Sequence, residues 1–226
     1  LFGGRVSSRC KYRKIAALTA LALLATVRAG HVCAVEVAGD ELAKKYVWVQ
    51  EHLLATDKSP PFSFKFGSNV RSNFFRSWPR EESERRIGDA RTARVFTWKD
   101  ERSGLEVRCV SIDYDDFPVV EWTVYFKNTG KQDTPIIRSI QALDARFARK
   151  GDQEFLLHHF VGSPCAPIDY RPLYDVLAPS SSKKISAAGG RPTNSDLPYF
   201  NIETGSGGMI IAVGWSGQWA ADFVRD

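Results

Sequence analysis

Histidine, carboxylate and thiol side chains are what acid–base, metal or redox chemistry would be built from, and in this chain they are sparse. Beyond the first 34 residues the only histidines are His52, His158 and His159. Adjacent residues on a strand face opposite ways, so His158 and His159 are wrongly placed to share a metal ion. Asp113, Asp115 and Asp116 could be mistaken for paired catalytic carboxylates, but they fall between two expected strands and are read as a solvated turn. No HExxH, P-loop, GxGxxG after a strand or GxSxG elbow occurs. Nothing in the pattern asks for a metal or a cofactor, and no catalytic residue is nominated. Cys109 and Cys165 are too far apart in sequence for a CxxC redox or zinc motif. Two buried free thiols are expected, with a disulfide in an oxidising compartment as the alternative.

Aromatic side chains are plentiful by contrast, with six Trp, seven Tyr and fourteen Phe. Trp48, Trp98 and Trp122 lie on apparent strands and are expected in the core. Trp78, Trp215 and Trp219 sit at strand ends or in loops, where a ring can either pack inward or stack on a sugar.

The elements that must hold these residues are almost all of β type. Period-two alternation runs through Tyr46–Leu53, Phe62–Phe66, Arg94–Trp98, Leu105–Ile112 and Val119–Phe126, and further β-rich runs follow at 136–142, 155–160, 183–186, 199–202 and 209–215. Turn residues punctuate them at Asp115–Pro118, Asn128–Gly130 and Gly205–Gly208. Glu81–Ala93 is read as a polar helix or a loop. Strands without crossover helices cannot form a parallel sheet. An all-β fold follows: a large antiparallel two-sheet sandwich, with residues 35–226 able to bury a core as one domain. Two long irregular segments, Gly162–Asp175 and Ala187–Pro198, interrupt the regular background, and loops of that length are usually functional or disordered.

The N-terminus differs from the rest. Arg5, Arg9, Lys11, Arg13 and Lys14 precede thirteen uncharged residues, Ile15–Val27. That run is too short for a membrane span, which takes about 20 apolar residues, and it has the layout of a helical signal peptide with cleavage expected after Ala34. A buried N-terminal helix is the competing reading. No lipid or other stable membrane anchor is expected. The full chain is formally +5, but residues 35–226 hold 25 of the 31 basic residues and all 26 acidic ones, a formal −1. The basic balance therefore belongs to the export segment, and nucleic-acid binding loses its support. The cluster Arg71, Arg76, Arg80, Arg85, Arg86, Arg91 and Arg94 is interleaved with Glu81, Glu82, Glu84 and Asp89, as in a salt-bridged, solvated segment.

Several strings, in order over about residues 42–226, resemble one family. Pro60–Gly67 with Phe74–Trp78, Asp116–Gly130 with Asp133–Pro135 and Ile140–Asp144, Leu157–Cys165, Leu197–Glu203 and Gly214–Trp219 are together similar to the N-terminal β-supersandwich of glycoside hydrolase family 36, the α-galactosidases or melibiases. The resemblance implies a retaining α-galactosidase-like hydrolase whose (β/α)₈ barrel is missing from this chain, and the expected signal peptide implies a secreted or periplasmic location. Retention takes two carboxyls about 5–5.5 Å apart, one attacking and one protonating the leaving oxygen. The barrel carries that pair in the family, so this polypeptide alone is expected to be inactive. An α-galactoside-type carbohydrate, met through the barrel, is the implied ligand, and a homo-oligomer is compatible. By loop position the resemblance implies that Asp169, Tyr170, Asp196 and Tyr199, with Trp219 behind them, line the rim of the sugar pocket, or else brace the domain interface. The alternative from another class is a free-standing secreted carbohydrate-binding or adhesion sandwich.

Overall fold

The computed structural model describes residues 37–68, 72–149, 151–205 and 207–226; the signal-peptide expectation falls outside them. Among these residues the fold is all-β, with every strand pair antiparallel and one short α-helix. No helix among the described residues is long and apolar enough to cross a membrane. The chain divides into two compact units, Leu1–Asp144 and Ala145–Asp226.

The first unit opens with α1 (Gly39–Val49), which runs into a π-helical turn at Gln50–Leu54. This corrects the strand expected over Tyr46–Leu53. Lys45, Val49 and Leu53, four residues apart, are the buried stripe of a helical face. A charged residue in that stripe hid the period, and the alternating Val47 and Val49 imitated a strand. The helix begins without a side-chain cap, but Asp40 and Glu41 lie in its first turn, where carboxylates favour the positive end of the dipole. Trp48 is thus on a helix rather than a strand, stacked on His52 at 4.6 Å and on Trp122 at 5.4 Å.

Four strands, β2 (Arg80–Arg86), β3 (Arg91–Lys99), β4 (Leu105–Tyr114) and β5 (Val120–Asn128), form a meander in chain order. A separate ribbon pairs β1 (Ser63–Phe66) with β6 (Ile137–Gln141). β2 replaces the polar helix or loop expected from residue 81. Beyond Arg80 its side chains face solvent, so no apolar alternation marks it; cross-strand pairing holds it instead, with Glu84 opposite Arg94 and 2.8 Å from its Nε. A charged outer strand also protects the sheet edge from further pairing. Alternation on β4 is strict, and Leu105, Val107 and Cys109 point into a core with Phe62, Phe64, Phe66, Phe75, Phe96 and Trp98.

The second unit repeats this plan. Its sheet is ordered β11 (Gly208–Ala212), β10 (Tyr199–Glu203), β7 (Phe155–Phe160), β8 (Pro172–Leu177), and β12 (Ala220–Val224) pairs with β9 (Ser182–Ser186). Leu157, Leu177, Ile185, Phe200, Ile202 and Trp219 make its core. β8 takes the end of a segment expected to be irregular. Leu173, Asp175 and Leu177 turn inward while Tyr174 and Val176 turn out, and Pro172 sits at the first position of an edge strand, where its missing N–H does no harm.

Candidate functional site

The two long loops of the second unit close on each other. Val161 and Asp196 form a β-bridge, Gly162 N–H donates to Ser195 O at 2.7 Å, and Ser163 N–H donates to Thr193 O at 2.6 Å. The clasp needs glycine at 162, because a Cβ there would lie 1.9 Å from Thr193 O.

The five residues expected at a sugar rim divide by role. Asp169 accepts from Ala166 N–H at 3.0 Å and from Ser163 Oγ–H at 3.1 Å, which ties its own loop into a turn. Asp196 accepts from Ser186 N–H at 2.9 Å and so fastens the second loop to β9. Trp219 is buried, its Nε1–H donating to Pro192 O at 2.7 Å. Tyr170 and Tyr199 remain open, 59% and 47% exposed. Tyr170 adopts a left-handed φ of 61°, a conformation that non-glycine residues hold only where surroundings impose it; its N–H donates to Gly162 O at 3.1 Å. The clasp brings the two segments together through main chain, and no hydrogen bond joins any two of the five side chains.

Other titratable groups in this unit fall on opposite faces of one sheet, as expected for His158 and His159. His158 Nε2 lies 2.8 Å from Glu203 Oε2 on the outer face. His159 is buried, with Nε2 at 2.9 Å from Asp175 Oδ2, and Lys183 Nζ reaches the same oxygen at 2.8 Å. Lys183, and then His159, hold the Asp175 carboxyl below the usual carboxylate range against the opposing effect of burial. His159 Nδ1 is buried with no hydrogen-bond partner among the described residues.

In the first unit the acidic cluster is not one turn. Asp113 lies on β4, buried against Lys45 of α1, whose Nζ also donates to Tyr114 O at 2.7 Å; Arg94 approaches from the other side at 3.3 Å. The expectation of solvent there is corrected for Asp113 alone, since Asp115 and Asp116 do occupy the turn and Asp115 pairs with Arg86. Arg80 and Arg94 likewise pair with Glu82 and Glu84, as the interleaved charges suggested. Cys109 and Cys165 are both free, but Cys165 is exposed rather than buried. Burial pushes the Cys109 thiol up to about 12. Among the described residues no three His, Cys, Asp or Glu groups gather as a metal site.

A groove of about 200 Å³ in the first unit was not anticipated. Of its lining, Leu53, Phe75 and Trp98 are buried, His52, Trp78 and Arg80 half-buried, and Lys58, Arg76 and Glu82 exposed where it opens to solvent. These residues are spread between 52 and 98, and no local spacing announces them.

No protein-family model matches the chain, and no curated protein matches it. Among solved structures, the crystal structure of a GH36 alpha-galactosidase from Geobacillus stearothermophilus in complex with stachyose is similar at 12% identity with a TM-score of 0.48, over 74% of this chain and 25% of that one. The present chain thus spans about a quarter of that protein's length.

Proposed function

We propose that this chain is the non-catalytic β-sandwich portion of an exported, retaining α-galactosidase-like glycoside hydrolase, and that the carboxylate pair belongs to a barrel outside this sequence. The observation that carries the reading is the clasp of the two long loops. Asp169 and Asp196 turn inward to hold backbone, while Tyr170 and Tyr199 stay open on segments that the clasp stiffens. A tyrosine presents a broad apolar ring with a polar tip at little entropic cost, which suits the rim of a carbohydrate site. Asp169 and Asp196 are then positioning residues, and Tyr170 and Tyr199 are the groups that meet an α-galactoside-type ligand held by the barrel. The ordered run of strings that resemble family 36 supports the same assignment. The basic and apolar N-terminus supports export, with the mature chain starting at Val35.

The test compares residues 35–226 with a protein extended through the downstream coding frame. Turnover of an aryl α-galactoside is expected only from the longer protein, where Tyr170→Ala raises KM several-fold and leaves kcat nearly unchanged. Saturable hydrolysis by residues 35–226 alone would overturn the reading. A stop codon with no barrel-type βα frame downstream would favour a free-standing carbohydrate-binding sandwich instead.

A further inference from the structure

We infer that the groove in the first unit is a binding site for one pyranose ring bearing a carboxylate, a uronate. The inference is independent of the hydrolase reading and concerns a different part of the chain.

Size sets the first limit. Sites for drug-sized ligands run from about 300 to 1,000 Å³, so a space of about 200 Å³ takes a single ring. The apolar surface is already in place. Trp78 is half-buried and packed against Phe74 at 4.8 Å, Phe75 at 5.7 Å and Phe66 at 5.9 Å. Its indole plane is therefore held before any ligand arrives, which removes part of the ordering cost of binding.

Charge sets the second. Arg80 does not serve the ligand: its guanidinium donates to Leu53 O at 2.9 Å and Ala55 O at 3.1 Å, closing the π-helical turn, and lies 4.7 Å over the Phe96 ring. It also lies 5.6 Å from the centre of the Trp98 ring and 3.2 Å from Glu82, and so neutralises the one carboxylate in the lining. Lys58 and Arg76 are left there with no ion-pair partner among the described residues. Two such cations elsewhere on a surface would only be solvated; here they line the same groove as Trp78, and Glu82, the carboxylate in that lining, is paired with Arg80. The hydroxyls of a sugar also have a partner. A carbonyl can only accept, so His52 Nδ1 donates to Trp48 O at 3.0 Å and Nε2 is the ring nitrogen left over. A planar aromatic acid would leave that nitrogen and the Thr56 hydroxyl unmatched.

The experiment titrates the full, ¹⁵N-labelled chain with D-galacturonate, D-galactose and benzoate, following the Trp78 indole N–H. D-galacturonate is expected to give a saturable shift at Trp78 that weakens as salt is raised, with galactose and benzoate clearly weaker. The Lys58→Ala/Arg76→Ala double variant changes only exposed side chains and is expected to bind roughly tenfold less tightly, the loss of two solvent-exposed charge pairs. Retention of wild-type affinity in that variant would overturn the proposal. So would equal binding of galactose, equal binding of benzoate, or no movement of Trp78 with any of the three.

Discussion

The two units share one plan, a four-stranded antiparallel sheet and a two-stranded ribbon, yet they are filled differently. The first is packed with rings: Phe62, Phe64, Phe66, Phe75, Phe96 and Trp98 are all buried, in mutual edge and tilted contacts. The second is mostly aliphatic, around Leu157, Leu177, Ile185 and Ile202, with Phe200 and Trp219. Their buried charges differ in the same sense. In the first, Lys45 and Asp113 are closed off from water, with side chains 3% and 5% exposed. In the second, buried His159 meets an Asp175 whose carboxyl is about one-third exposed and is shared with Lys183. The difference teaches that one strand plan can enclose either a rigid aromatic interior that must satisfy its own charges, or a softer one that leaves them at the solvent boundary.

The largest expected effect breaks the first unit. Lys45→Met leaves Asp113 buried with only Arg94 nearby and should cost about 3–5 kcal/mol, read by urea denaturation. The double variant Lys45→Met/Asp113→Leu should recover most of that loss, because an apolar pair carries no desolvation penalty. If the single variant costs no more than a surface charge does, the closed ion pair has no such role.

A smaller effect sharpens the contrast in packing. Leu105→Ala and Leu157→Ala each delete a fully buried side chain, one per unit, and both should fall within about 2–5 kcal/mol. Rings locked edge to face relax poorly around a cavity, so the Leu105 variant should lie at the upper end and the Leu157 variant at the lower. Hydrogen exchange of peptides from each unit would separate the two, and the reverse order would refute the idea of a softer second core.

The smallest effect concerns Asp175. Its folded pKa is held below the usual value, so its stabilisation is present above the unfolded carboxylate pKa and is lost as pH falls through the folded value. The carboxyl is partly exposed, and solvent screening limits the contribution to less than about 1 kcal/mol. Asp175→Asn should therefore destabilise slightly at neutral pH and flatten the acid limb of the stability profile. An unchanged acid limb would show that the Lys183 and His159 contacts have no net worth.

How much was legible depends on how local the signal is. β3, β4, β5, β7 and β10 could be read directly, because alternating apolar residues mark a half-buried strand wherever it ends up. α1 was misread because its buried stripe contains Lys45, whose partner Asp113 is 68 residues away. β2 was missed because an edge strand of charged residues has no apolar side to show, and β8 because its inward row includes Asp175. At the proposed rim, the loops were recognisable from their length and proline content. That Asp169 and Asp196 would turn inward while the tyrosines stayed out was not, since the hydrogen-bond partners come from the folded backbone.

Taken alone, the order of amino acids determined an antiparallel β architecture, because side-chain direction along a strand repeats every two residues and needs no distant partner. The folded chain alone decided which charges are buried, how Gly162 lets two loops clasp, and that residues between 52 and 98 line one groove. Each of these depends on groups far apart in sequence meeting at van der Waals or hydrogen-bond distance, and one-dimensional spacing does not encode that.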